Sequence, residues 1–317
     1  MRVETVTSAQ NPKFKDLLAL QEKSRLRRER GLFAVEGQRE LGHCLNGGFI
    51  PQTLFVCGEL IARERRLCPE ADASTERASR SVPTGLMTTG KDSGYVSADR
   101  SAGIEGKDGL EALIARAEAL NPKLLLVQLP AFLYEKAAFR GSTEGVIGVM
   151  RSRELSLSDL TANPSPLIAV LEGVEKPGNL GAILRSADAA GADAVLICDP
   201  LTDLYNPNLI RSSVGAVFTV PTVCCTSEEA IAWLKEHSIR IYTAQLQDSV
   251  LYYDSQMRGG TAIAIGTEAT GLSEIWRRAA DAHIRIPMKG RLDSLNASAS
   301  AAILLYEAVR QRNVSDS

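Results

Sequence analysis

Histidine is scarce in this chain of 317 residues, which holds only three. The six cysteines are Cys44, Cys57, Cys68, Cys198, Cys224 and Cys225, and none stands in a CxxC pair. Zinc sites need such residues at short spacings, so no metal centre is expected. No apolar run approaches the ~20 residues that cross a bilayer, so a membrane is not an expected partner. The opening residues, MRVETVTSAQ, do not resemble a secretory signal, and the thiols read as reduced cysteines of a cytoplasmic protein. GxGxxG does not follow the first strand of the second half, which argues against a dinucleotide fold. GxxxxGK[ST] is absent, which argues against a P-loop ATPase. Net charge of one sign is also lacking, at -2 overall.

What is present is an ordinary globular composition, 44% hydrophobic and 23% charged, over a length that suits two domains. The charge is uneven along the chain. Residues 1–166 hold 23 Lys/Arg against 21 Asp/Glu, and residues 167–317 hold 13 against 17. Residues 13–30 concentrate seven cations against three acids. That run is either a solvated helix face or a surface for phosphates, since unmatched cations attract nucleic acid backbones.

Periodicity divides the chain. Residues 13–30 read as one helix, with Phe14, Leu17, Leu18 and Leu20 on or near one face and Asn11-Pro12 as its start. A short extended piece from Leu32 to Val35 leads into a helix predicted over 33–46, which Gly47-Gly48 stops. Strands are predicted at 53–57, 123–129 and 145–150, with a helix over 109–120. The stretch 69–107, rich in Ala, Ser, Thr and Gly, has little apolar periodicity and reads as an insertion. Residues 158–166 read as a linker between domains at 1–157 and 167–317. Beyond it, strands at 167–171, 194–198, 217–220, 239–243, 261–265 and 283–287 alternate with helices. Those helices fall at 180–190, 207–214, 227–237, 272–280 and 294–312. Such alternation defines an α/β domain with a parallel sheet.

In open α/β sheets, ligands bind at the carboxyl ends of the strands. Three such ends carry unusual residues. The first is EGVEKPGNLGAILRSA, from Glu172 to Ala187. Asn179 suits a helix N-cap, and Arg185 follows among Gly, Ala, Ile and Leu. Arg185 either pairs on the surface with an acid such as Asp188 or serves an anion near the helix start. The second is IGTEATGLS, where Gly266 and Gly271 permit close backbone approach on either side of Glu268. The third is IPMKGRLDSLNASAS, from Ile286 onward, with Ser294 as N-cap of the last helix. A cap alone does not explain Asn296 and Ser298 in a first turn that better helix formers could fill.

Together these segments closely resemble the three motifs of the SpoU/TrmH family, RNA ribose 2′-O-methyltransferases of the SPOUT class. The matching residues run from Asn179 to Arg185, from Gly266 to Leu272, and through Ile286, Pro287, Met288, Gly290 and Ser294 to Ser298. The resemblance covers residues 167–312. A weaker likeness, carried by residues 5–45 and the strand at 145–150, is to the family's smaller N-terminal α/β domain, which is L30e-like and binds the RNA substrate. The resemblance implies a deep trefoil knot in the C-terminal domain, a homodimer through that domain, and S-adenosylmethionine as cofactor. It implies that Gly266, Ile286 and Leu295 contact the cofactor largely through backbone groups, with Met288, Gly290 and Ser298 beside them. It places Arg185 at the reacting hydroxyl, with Asn179, Glu268, Ser294 and Asn296 positioning it, the ribose and the cofactor.

The expected reaction is methyl transfer to a ribose 2′-hydroxyl, with ribosomal RNA as the expected substrate. Competing readings are a transfer RNA substrate, a non-catalytic RNA-binding protein that keeps the knot, and an unrelated nucleotide-binding α/β enzyme. The family assigns activation of the hydroxyl to the motif-one arginine. A guanidinium keeps its proton in proteins, so stabilising the developing alkoxide or clamping the adjacent phosphate is the easier role.

Overall fold

The computed structural model describes residues 1–61, 109–138, 144–160, 163–267, 270–291 and 294–314. The insertion read at 69–107, together with Cys68 and Glu268, lies outside the described residues.

The N-terminal region builds a five-stranded mixed sheet. Its strands are β1 (Arg2–Thr5), β2 (Leu32–Glu36), β3 (Pro51–Val56), β4 (Leu125–Gln128) and β5 (Val146–Arg151), in the order β1-β4-β3-β5-β2. β1, β4 and β3 run parallel, whereas β5 is antiparallel to both β3 and β2. Among the described residues, five helices accompany it: α1 (Pro12–Glu22), α2 (Ser24–Arg30), α3 (Gln38–Asn46), α4 (Leu110–Leu120) and α5 (Ala131–Ala137).

The C-terminal region is a seven-stranded sheet with every recorded pairing parallel. In chain order its strands are β6 (Leu167–Glu172), β7 (Ala194–Cys198), β8 (Thr222–Cys225), β9 (Arg240–Ala244), β10 (Val250–Leu251), β11 (Thr261–Ile265) and β12 (Ala282–Arg285). They lie in the order β10-β12-β9-β11-β6-β7-β8. Its helices are α6 (Pro177–Ala189), α7 (Pro207–Ser212), α8 (Ser227–Glu236), α9 (Glu274–Ala279) and α10 (Ala297–Asn313). Successive strand residues face opposite layers. Ala169, Leu171, Val195, Ile197, Ile263 and Ile265 pack with α6, α7 and α10. Ile168, Val170, Leu196, Ala262 and Ala264 pack with Ala230 and Leu234 of α8 and Trp276 of α9. Burial on both faces explains the unbroken apolar runs of β6, β7 and β11.

Several sequence expectations change. The helix read over 13–30 is two helices, because Lys23 takes an extended conformation at φ -106° and ψ 103°. The break turns α2 so that Arg27 folds back on the end of α1. β1 and α5 were not expected from the pattern; β1 is mostly exposed and shows no alternation. The helix read at 33–46 begins only at Gln38, after β2. The strand read at 217–220 falls on a 3-10 turn, Ala216–Phe218, entered through Gly215 at φ 86°; the strand comes later, at β8. β12 ends at Arg285, so Ile286 and Pro287 lie beyond it.

The two regions share a core. Phe33 of β2 stacks on Tyr205 at 4.2 Å, and Phe49 and Phe218 meet the same cluster edge-on or stacked. Burial pushes the Tyr205 hydroxyl up to about 12, so it stays a donor, and it donates to the Arg153 carbonyl. Arg27 is 3% exposed, and its guanidinium donates to Asp203 Oδ2 at 2.6 Å, to Leu20 O at 2.6 Å and to Gln21 O at 3.0 Å. A buried charge needs such complete pairing. At the far end of α10, Arg312 donates to the carbonyls of Met257, Gly259, Ser165 and Pro166, tying the helix to the starts of β6 and β11.

Candidate active site at the carboxyl ends of the parallel strands

Motif one begins where β6 ends. Glu172 closes the strand, Gly173 turns at φ 62°, and α6 starts at Pro177. Asn179 is therefore the third residue of α6 and not its cap; the cap is Lys176, which makes no side-chain cap bond. Pro at the first helical position starts the helix without one. Gly181 lets α6 press against α7. A Cβ there would lie 1.9 Å from Ser212 Oγ and 2.7 Å from the Ser213 amide. Arg185 is exposed, and no ion pair holds it among the described residues. Its proposed surface partner, Asp188, instead accepts a hydrogen bond from Thr219 Oγ1 at 2.6 Å.

Motif two is a ring closed on itself. Gly271 N donates to Thr267 O at 3.0 Å, and Thr270 N donates to Thr267 Oγ1 at 3.0 Å. Gly266 faces Gly271 so closely that a Cβ at 266 would lie 2.2 Å from the Gly271 carbonyl carbon. Gly271 itself sits at φ 69°, in the region that favours glycine. Both motif glycines are thus fixed by backbone geometry.

Motif three closes the site. The cap of α10 is Asn296, not Ser294. Asn296 Oδ1 accepts from Ser298 N at 2.9 Å and from Ser298 Oγ at 2.5 Å. Its amide nitrogen donates to Asn179 Oδ1 at 3.1 Å, across 117 residues. One side chain therefore caps the last helix and joins motif three to motif one. Ile286, Pro287 and Met288 are half-buried, and Leu295 is 39% exposed. Gly290 has open space around it, so close backbone approach gives no reason for glycine there.

Sequence reasoning gave no role to the polar network behind these motifs. Glu172 accepts from Ser273 N at 2.7 Å and from the Ser273 hydroxyl. Trp276 Nε1 donates to Ser227 Oγ at 2.9 Å, and Ser227 donates to Asp199 at 2.6 Å. The one available signal was a carboxylate ending the otherwise apolar strand LIAVLE. Beside the network, Cys198 and Cys225 stand level on β7 and β8. Hydrogen bonding between the two thiols pushes Cys198 up and Cys225 down.

The parallel sheet, the Gly266–Gly271 contact and the Asn179–Asn296 bond describe an α/β protein whose candidate ligand site lies at the carboxyl ends of the strands. Comparison with known proteins makes this specific. The SpoU rRNA Methylase family profile matches residues 166–306, and the MRM3-like substrate binding domain profile matches residues 11–85. The 23S rRNA (guanosine-2'-O-)-methyltransferase RlmB of Yersinia pestis is 34% identical over 221 residues, 67% of this chain and 88% of that protein. A crystal structure of an RNA 2'-O ribose methyltransferase superposes with TM-score 0.70 at 33% identity, covering 98% of this chain and 100% of that one. An AdoMet-bound rRNA methyltransferase from Sinorhizobium meliloti superposes with TM-score 0.77 at 25% identity, over 99% of each chain. The chain belongs to the SpoU rRNA methylase family.

Proposed function

We propose that this protein transfers the methyl group of S-adenosylmethionine to a ribose 2′-hydroxyl of ribosomal RNA. The observation that carries the reading is the Asn296–Asn179 hydrogen bond, which joins the first and third motifs at one end of the sheet. The rRNA methyltransferase names of the similar proteins support the substrate class. The site also fits the cofactor. A nucleoside needs close backbone and an apolar wall, and the rim offers the crowded Gly266–Gly271 ring, half-buried Ile286 and Met288, and exposed Leu295. Gly266, Ile286 and Leu295 would hold it, with Met288, Gly290 and Ser298 around them. When bound, the cofactor supplies an electrophilic methyl group on sulfur.

The chain's own task is the acceptor. A ribose hydroxyl is a weak nucleophile until its proton leaves. Arg185, exposed and outside any ion pair among the described residues, keeps its donors for that oxygen and the neighbouring phosphate. The Asn179–Asn296 pair sets the angle between α6 and α10, and with Ser294 it orients the ribose. Glu268 belongs to the same reading. Residues 1–157 present the RNA, residues 158–166 link, and residues 167–317 hold the knot and the chemistry. We place a homodimer contact on α10, where Tyr306 is 49% exposed. Among the described residues no helix is long and apolar enough to cross a membrane. A ribosomal RNA substrate, as in the names of similar proteins, supports a cytoplasmic enzyme.

Transfer of labelled methyl from the cofactor to ribosomal RNA lacking ribose methylation tests this. Arg185→Ala is expected to cost about a thousandfold or more in rate while S-adenosylhomocysteine still binds. Arg185→Lys keeps the charge and loses the planar fork, so severe loss there assigns a bidentate role. Retained turnover in Arg185→Ala would remove Arg185 from the mechanism.

A further inference from the structure

The ring of motif two is held from outside as well as from within. Its last residue, Leu272, is buried, and the next, Ser273, caps α9. Ser273 gives both of its hydrogen-bond donors to one carboxylate. The backbone N–H donates to Glu172 Oε2 at 2.7 Å and the hydroxyl donates to Glu172 Oε1. Glu172 lies 101 residues earlier, at the end of β6. The contact continues next door, where the Gly173 position faces Thr267 so closely that a Cβ would lie 3.2 Å from Thr267 Cγ2. The carboxyl end of β6 therefore grips the ring near its start, at Thr267, and just past its end, at Ser273.

The chemistry favours a carboxylate. Both groups of Ser273 donate to Glu172, and an ionised carboxyl offers two acceptor oxygens. An amide of the same shape accepts from the backbone N–H and donates its NH2 to the hydroxyl oxygen, so it keeps the geometry and loses the charge. Charged acceptors also form the stronger hydrogen bonds, so two of them on one residue hold a short loop firmly. The ring cannot set Gly266 unless it stays closed, because Gly266 and Gly271 meet backbone to backbone.

We propose that Glu172 is a positioning residue for cofactor binding, clamping Ser273 so that the Gly266–Gly271 contact is set before the cofactor arrives. The proposal rests on reading that ring as the cofactor loop. Glu172 acts through Ser273 and touches neither the methyl group nor the hydroxyl it reaches. Preorganisation of this kind acts on affinity, because a loop already in its bound shape loses less freedom on binding.

The test is calorimetric titration of the full chain with S-adenosylhomocysteine, beside steady-state transfer to ribosomal RNA. In Glu172→Gln the dissociation constant is expected to rise about tenfold, the size of two charge-assisted hydrogen bonds weakened to neutral ones. KM for S-adenosylmethionine should rise alike. KM for RNA and kcat at saturating cofactor should stay within about twofold, since the reacting groups are untouched. Ser273→Ala keeps the backbone bond and loses the hydroxyl, so a smaller rise of about threefold is expected. That variant serves equally if Glu172→Gln folds poorly. An unchanged dissociation constant in both variants, or a fall in kcat with an unchanged cofactor KM, would overturn the clamp. Failure of the wild-type chain to bind S-adenosylhomocysteine would instead remove the cofactor-loop reading, and the clamp with it.

Discussion

Both sheets of this chain end parallel strands at a rim, and among the described residues the two rims carry different side chains. In the N-terminal sheet, Thr5, Gln128 and Val56 end β1, β4 and β3 and line a cavity of about 600 Å³. The rest of that lining is mostly aliphatic, with Glu59 and Glu111 as its charged members. In the C-terminal sheet the same kind of rim gathers two hydrogen-bonded asparagines, two glycines in backbone contact and a carboxylate bonded to Ser273, beside a helix whose Arg185 forms no ion pair among the described residues. A parallel sheet supplies a place for a ligand; converging polar groups supply a reaction.

The division of labour can be tested by breaking one region at a time. The largest effect should come from the contact that joins them. Arg27→Leu leaves half-buried Asp203 without its cation, and a loss of about 3 kcal/mol in unfolding free energy is expected. Replacing both partners by leucine should restore most of it, as denaturant unfolding would reveal. If the single and double variants lose equally, the ion pair is not what fastens the regions. Next comes Gly266→Ala, where the added methyl meets backbone at 2.2 Å. The ring must open, and S-adenosylhomocysteine affinity should fall roughly a hundredfold, or about 3 kcal/mol, with RNA binding by the N-terminal region preserved. Equal affinity would show that the ring is not a cofactor element.

The smallest effect on stability belongs to the basic run. Lys13, Arg25, Arg27 and Arg30 are paired with Glu4, Glu29, Asp203 and Asp16. Lys15, Lys23 and Arg28 are exposed and form no ion pair among the described residues. Changing these three to glutamine should move stability by less than about 0.5 kcal/mol. If they meet phosphates, the salt dependence of RNA binding should flatten by about two units of log–log slope. An unchanged slope would mark the run as a solvated face, and RNA recognition would have to be sought elsewhere on the N-terminal region.

The sequence made some of this legible and not the rest, for physical reasons. β6, β7 and β11 were readable because burial on both faces demands unbroken aliphatic runs. β1 was not, since an exposed strand need satisfy only its neighbour β4. The break at Lys23 was hidden because nothing in KFKDLLALQEKSRLRRER forbids one long helix; the pull comes from carbonyls and an aspartate that Arg27 reaches only after the turn. At the site, the motif residues were identified through family likeness, and the Asn179–Asn296 bond is tertiary. Helical logic favoured Ser294 as the cap, yet Asn296 holds that position while also reaching α6. Glu172 escaped because a carboxylate at a strand end looks like ordinary solvation until its partner, 101 residues away, is known.

The grip of Arg312 on Ser165 and Pro166 has a consequence for synthesis. The N-terminal sheet has all its strands once the ribosome has made residue 151. The C-terminal sheet starts at residue 167 and gains the bond from Arg312 to Pro166 with a side chain made 146 positions later. Emerging chains fold from the N-terminus and at a rate set by translation. The N-terminal sheet therefore has its strands while the C-terminal sheet still waits for its last helix, and Phe33, Phe49 and Arg27 meet Tyr205, Phe218 and Asp203 only afterwards.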